Sequence, residues 1–277
     1  MRGLEKVVNS LRGSYSQSHV PYSSAVIIPS NVDLSAPLTK PTSRAILMGK
    51  FYEHLTAALY GGDVCVTEFL AGADEEKEDD CMKITPDVVN NNTRRYFEVK
   101  GVCAGQHCML QDYQLEHYEQ LLGARSGYDL SFAFYRHNLH GIKSTWEGNS
   151  EELLTALAAK TLYLIVLPYS AITQMHGMIN GSHALVSRFQ KEGSPFDRCT
   201  SVLASTLTRL YTEPEEILQQ IAGEDISQYN ICRFVSEPIS ISGYVVPSFP
   251  IVFVEDMRVA DTRGDLKNVS VDDDVPF

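Results

Sequence analysis

Apolar residues recur at helical spacing from Ile46 to Leu59 (ILMGKFYEHLTAAL), and Gly61-Gly62 closes the run where a helix cap belongs. This predicts a first helix. Val64 to Leu70 (VCVTEFL) reads as a strand, followed by an acidic loop and a second strand near Lys83 to Val89. Asn90 to Asn92 supplies a tight turn into a third strand, Arg94 to Val102 (RRYFEVKGV), so the two runs flanking the turn predict a hairpin. Met109 to Leu122 has the pattern of an amphipathic helix. Leu130 to Tyr135 and Leu162 to Leu167 are apolar enough for buried strands, with a helical segment near Ala171 to Met178 after the second. The expected order is helix, three strands, helix, strand, strand.

Outside this region the pattern weakens. Gly13 to Arg44 is rich in Ser, Pro, Thr and Tyr and predicts an extended arm with one short strand at Ala25 to Ile28. Beyond Gly181 the sequence predicts helices at Cys199 to Leu210 and Glu215 to Ala222, then β-rich sequence from Ile239 to Val254. The expected organisation is an arm (1–45), a core (46–180), an accessory α+β subdomain (181–265) and an acidic tail (266–277).

A chain of 277 residues, 44% hydrophobic, is long enough to bury a full core. It contains no stretch of roughly 18 uninterrupted apolar residues and no apolar signal-peptide centre near its start, which predicts no membrane segment and a cytoplasmic location. The six cysteines are scattered without a framework, as expected of reduced thiols. A net charge of −12 argues against a protein that coats nucleic acid nonspecifically. The acidic residues are bunched, however, at Asp74 to Asp80, Glu213 to Glu216 and Asp272 to Asp274, which leaves room for a locally basic face. The run from Asp74 to Asp80 reads as a solvated loop.

The chemistry concentrates in Ile84 to Gly101 (ITPDVVNNNTRRYFEVKG). Side chains two apart in a strand share a face, so Glu98 and Lys100 project together while Val99 points into the core and leaves its carbonyl near the site. Asp87, across the hairpin, can converge with them. Two carboxylates and a carbonyl oxygen suit Mg2+ or Mn2+, which keeps several waters as well. Phosphodiester hydrolysis needs a nucleophilic water, neutralisation of charge in the transition state and stabilisation of the leaving oxygen. A metal at Asp87 and Glu98 suits the second need and lowers the pKa of bound water. Lys100 can orient that water or, if its pKa is depressed, accept its proton.

Pro86-Asp87, ten intervening residues, then Glu98-Val99-Lys100 resembles the signature of the PD-(D/E)XK nuclease superfamily, and the element order agrees with it. The resemblance implies an α/β fold, a mixed central sheet flanked by helices. It also implies a metal-dependent DNA nuclease, with Asp87, Glu98 and Lys100 catalytic and Asp87, Glu98 and Val99 around the ion. Family members often carry a glutamate on the first helix, which by resemblance is Glu53, reaching the metal directly or through water, with Glu68 as the substitute. Gln114 to Tyr118 (QLEHY) resembles the QLxxY motif of the RecB-like branch. Gln114 and Tyr118, four apart, share a helix face. By resemblance they hold the lysine and a substrate phosphate.

The RecB-like motif points to replication, recombination or repair. Two alternatives are a type II restriction endonuclease reading bases through 181–265 and an inactive nuclease fold that binds DNA or a replisome partner. A homodimer is compatible with each. Cys103, His107 and Cys108 follow the lysine strand without the spacing of a zinc or iron–sulfur site. Arg136, His137, Asn138 and His140 resemble an HNH nuclease only superficially, and the histidines read as loop residues. The last residues, VDDDVPF, resemble the acidic tip of bacterial single-stranded DNA-binding proteins. In that resemblance Phe277 and Pro276 fill an apolar pocket and Asp272, Asp273 and Asp274 attract a basic rim, on proteins that recognise such tails.

Overall fold

The first helix, α1 (Pro41–Tyr60), starts on proline, whose fixed φ suits the first helical position. It stops at Gly61, where φ is 67° and the Gly62 N–H returns to the Ala57 carbonyl at 3.0 Å. The computed structural model describes residues 17–21, 35, 38, 41–67, 86–103, 107–124, 127–140, 146–177, 186–190, 198–222 and 226–258. The expected strand at Ala25 to Ile28, Glu68, the acidic run from Asp74 to Asp80 and the tail with Asp272, Asp273, Asp274, Pro276 and Phe277 lie outside the described residues.

Eight strands form one mixed sheet. In chain order they are β1 (Gln17–Pro21), β2 (Asp63–Thr67), β3 (Val88–Asn90), β4 (Arg95–Cys103), β6 (Asp129–His137), β7 (Thr161–Pro168), β10 (Tyr229–Val235) and β13 (Pro250–Asp256). Their order across the sheet is β1-β2-β3-β4-β6-β7-β13-β10, with β4 parallel to β6 and β7 parallel to β13. The stretch beyond Gly181 therefore supplies two strands of the central sheet. It also supplies β8 (Val186–Gln190) and β9 (Arg198–Leu203), which join β5 (His107–Gln111) in a small antiparallel sheet, and the hairpin of β11 (Ile239–Ile241) and β12 (Tyr244–Val246).

Strand parity sorts the core into two layers. Phe97, Val99, Ala133, Tyr135, Leu164 and Val166 face α1 and α3 (Ser150–Lys160). Tyr96, Leu130, Phe132, Phe134, Ile165 and Leu167 face the other side, where α2 (Asp112–Ala124), α4 (Tyr169–Gly177), α5 (Ala204–Thr212) and α6 (Pro214–Ala222) pack. The fold is thus α/β, a mixed central sheet flanked by helices. Strand β6 is buried on both faces, which is why it reads as a continuous apolar run. Its Phe132 and Phe134 are fully buried, each worth about 1.5–3 kcal/mol in transfer free energy.

Several elements differ from the pattern-based reading. His107 to Gln111 pairs with Arg198 to Leu203 as strands, so the expected helices at Met109 and Cys199 begin only at Asp112 and Ala204. Short apolar segments fit either period, and here pairing between distant strands decides. Helix α3 and strand β10 were not anticipated, although Asn149 and Glu152 form a capping box at the start of α3. His137 is not a loop residue: it closes β6 and is buried. Among the described residues no helix is long and apolar enough to cross a membrane, and Cys65, Cys103, Cys108 and Cys232 are free thiols.

Candidate active site

The hairpin of β3 and β4 opens at one end, and the site lies there. The turn itself is fixed by Asn90, whose side-chain oxygen accepts the N–H groups of Asn92 and Thr93. The ladder runs from Asn90–Arg95 to Val88–Phe97 and then stops. One residue further, the Asp87 carbonyl accepts the Cys65 N–H at 2.8 Å, which keeps Asp87 aligned with β2. Its carboxylate turns the opposite way, and Oδ2 accepts the Val99 N–H at 2.7 Å. The Val99 side chain packs beneath α1. Its carbonyl leaves the strand on the same edge as its N–H, toward Asp87.

Glu98 and Lys100 point to the other face, toward α2. Lys100 Nζ donates to Glu98 Oε1 at 2.5 Å, and Gln114 Nε2 donates to the same oxygen at 2.7 Å. Tyr118 donates its hydroxyl to Glu98 Oε2 and receives Gln114 Nε2 at 3.0 Å. Gln114 and Tyr118 thus act as a pair on one helix face, four residues apart. Glu98 is buried and accepts three side-chain donors, so its charge is well compensated.

On the opposite face, α1 presents Glu53 and Lys50, with Lys50 Nζ 2.5 Å from Glu53 Oε2. Burial, then the charges of Glu98 and Glu53, hold the Asp87 carboxyl well above the usual carboxylate range. Lys100 shows the reverse balance. Burial acts to lower its pKa, but Glu98 and Asp87 together outweigh it and raise the value, so the ammonium stays charged. Of the two roles open to Lys100, an orienting cation fits this direction and a proton acceptor does not. Cys65 lies in the same electrostatic field: burial and the Asp87 and Glu53 charges push its thiol up.

The donor chemistry suits a hard divalent cation: three carboxylates around one hairpin end, with a repulsion at Asp87 that a cation would relieve. The arrangement is not a ready cage. Among the described residues no three His, Cys, Asp or Glu side chains stand as a group that could hold a metal ion. Glu98 uses both oxygens for protein donors, and Glu53 shares one with Lys50.

Of the residues singled out in the sequence, Asp87, Glu98, Val99, Lys100, Gln114 and Tyr118 are joined by direct hydrogen bonds or adjacency. Glu53 joins them through its charge on Asp87. Lys50 and Cys65 were not anticipated. Lys50 had a legible signal, lying three residues before Glu53 on one helix face, whereas Cys65 comes near only through β2–β3 pairing. The Cys103 thiol donates to the Leu139 carbonyl at 2.6 Å and lies 3.8 Å from His140 Nδ1. Arg136 donates to the carbonyls of Val102 and His137. Compared with family models, curated proteins and solved structures, the chain matches none.

Proposed function

We propose that the protein is a metal-dependent DNA nuclease of the PD-(D/E)XK type, acting in replication, recombination or repair and using Mg2+ or Mn2+. The observation that carries this reading is the convergence of Asp87 and the Glu98–Lys100 pair, backed by Gln114 and Tyr118, at the open end of one hairpin. Support comes from the meeting of Asp87, Glu98 and Lys100 at that end, although Gln114 and Tyr118, expected by resemblance to hold the lysine and a phosphate, bond Glu98 instead.

Asp87, Glu98 and the Val99 carbonyl would hold the ion, with Glu53 in reach from α1. When bound, such an ion supplies a Lewis acid and a bound water of lowered pKa. The protein's own groups do the rest. Lys100, kept cationic by Glu98 and Asp87, orients the attacking water and adds positive charge where the phosphorane develops. Gln114 and Tyr118 fix the Glu98 carboxylate and thereby the lysine. Asp272, Asp273 and Asp274 with Pro276-Phe277 stand in this reading as a docking segment for proteins that recognise single-stranded DNA-binding protein tails.

A second reading has one observation in its favour: Glu98 is fully engaged by protein donors, as an inactive nuclease fold that only binds DNA would allow. Incubation with linear, circular, single-stranded and branched DNA, with Mg2+, Mn2+ or chelator, separates the two. Cleavage that needs the metal and is lost in Glu98→Gln is the expected result. Binding without cleavage under every metal condition supports the inactive fold instead.

A further inference from the structure

Strand β10 is the outermost strand of the eight-stranded sheet on the β13 side, and among the described residues nothing pairs with its free edge. Backbone bonds at its two ends fix which groups that edge presents. Ser236 donates its N–H to the Phe249 carbonyl and Met257 to the Gln228 carbonyl, each continuing the β10–β13 register. Hydrogen bonding alternates along an antiparallel strand, so Asn230, Cys232 and Phe234 turn their backbone groups to β13. Ile231, Arg233 and Val235 turn theirs outward. So does Tyr229, whose N–H is taken by the Ile226 carbonyl.

The side chains leave this edge unprotected. Solitary edges are usually blunted by lysine, proline or a bulge, whereas β10 (YNICRFV) has neither residue and keeps an unbroken register with β13. Phe234 is 42% and Val235 54% exposed. Cys232 and Phe234 lie on the α1 face of the sheet. Ile231, Arg233 and Val235 lie on the α6 face, where Arg233 meets Glu215 at 3.0 Å.

We propose that β10 pairs with β10 of a second copy of this chain, antiparallel about a two-fold axis at Cys232, and so joins the two sheets. The strand's own sequence selects this occupant and this register. Cys232 is the middle residue, so the axis overlaps the whole of β10. Ile231 and Arg233 then exchange both backbone bonds with the partner's Arg233 and the partner's Ile231. An axis at Arg233 would shorten the overlap and set two guanidinium groups directly opposite each other. At Cys232 the charges brought together are two Arg233–Glu215 pairs, each neutral. Val235 meets the partner's Tyr229, and Phe234 meets the partner's Asn230 beside the thiols. The two cysteines face each other in a pair without hydrogen bonds, where Cα atoms stand about 4.5 Å apart, within reach of a disulfide. Cys232 is a free, partly buried thiol in the single chain.

The full chain tests this independently of any nuclease activity. Light scattering at micromolar concentration should give twice the mass of one chain. Phe234→Lys charges the edge at an exposed position and should weaken association at least about tenfold. Diamide takes two electrons and two protons from a pair of thiols, and it should link wild-type chains covalently through their Cys232 residues. Cys232→Ser should lose the link and remain a dimer. A monomeric wild type overturns the inference, as does a dimer that Phe234→Lys leaves intact or that diamide fails to link through Cys232. A monomer whose Ile231 and Arg233 amides resist hydrogen exchange until residues 259–277 are removed overturns it too, and assigns the edge to the chain's own tail. Melting curves check that both variants fold.

Discussion

Asp87 Oδ2 accepts the Val99 N–H at 2.7 Å, so a carboxylate takes the place that a strand carbonyl takes in the rungs below. An amide can make the same bond. Asp87→Asn should therefore preserve the hairpin end and remove only the charge. Burial and the charges of Glu98 and Glu53 raise the Asp87 pKa above its unfolded value, so its stabilising contribution is fully present below the unfolded carboxylate range and is lost as pH rises through the folded value. At pH 8 without metal, the variant is expected to melt above wild type, and the difference should close in acid. Mg2+ at a hundred times its Kd should stabilise wild type by about 2.7 kcal/mol and the variant far less. A variant that melts below wild type at pH 8, or that gains equally from Mg2+, contradicts the placement of Asp87.

Lys100→Ala removes the cation held between Glu98 and Asp87. Single-turnover cleavage should fall by at least about two orders of magnitude while DNA binding in Ca2+ persists, as expected for a group that orients water. Glu98 would keep Gln114 and Tyr118 but lose the Lys100 ammonium, so the melting temperature should fall too. Weakened DNA binding with an unchanged single-turnover rate would assign Lys100 to substrate capture.

Tyr118 offers a cleaner view of the support beneath the chemistry. Its hydroxyl is buried and donates to Glu98 Oε2. Tyr118→Phe deletes that donor and leaves the ring's packing against Phe132 in place. The cost in stability should be about 1–3 kcal/mol, the range for a buried acceptor stripped of its partner. Cleavage should slow with little change in DNA affinity, because the residue acts through Glu98. A rate equal to wild type would reduce Tyr118 to a core aromatic.

The β3–β4 hairpin was legible because its signals are local: Asn90 turns the chain, and β-branched and aromatic residues flank it with Glu98 and Lys100 in phase. Gln114 and Tyr118 were legible for the same reason, since helix spacing alone puts them on one face. Strand β5 was not, because His107 to Gln111 becomes a strand only by pairing with Arg198 to Leu203, far along the chain. The same holds for β10, an edge strand with Phe234 and Val235 exposed, whose partner β13 lies beyond an intervening hairpin. Lys50 was overlooked because a lysine on a helix is ordinarily a solvated side chain. Only the fold brings Asp87 close enough to make it part of a charge cluster.

His54 gives the site a pH dependence of its own. It sits on α1 one residue after Glu53 and four after Lys50, is 3% exposed, and among the described residues its Nδ1 has no hydrogen-bond partner. Burial and then the Lys50 charge lower its pKa from 6.5 to about 4. In the folded protein the ring is neutral over that interval, whereas in the unfolded chain it is protonated. The unfolded state binds more protons there, so stability rises with pH: the contribution is complete above about 6.5 and is lost as pH falls to about 4. The shift corresponds to roughly 3 kcal/mol across the window. His54→Leu cannot take up a proton and should lose this component of the acid sensitivity. Urea denaturation of both chains between pH 4 and 7 measures it. Parallel profiles for the two chains would show that His54 is protonated in the fold and that its ring has an acceptor or an opening to water at Nδ1.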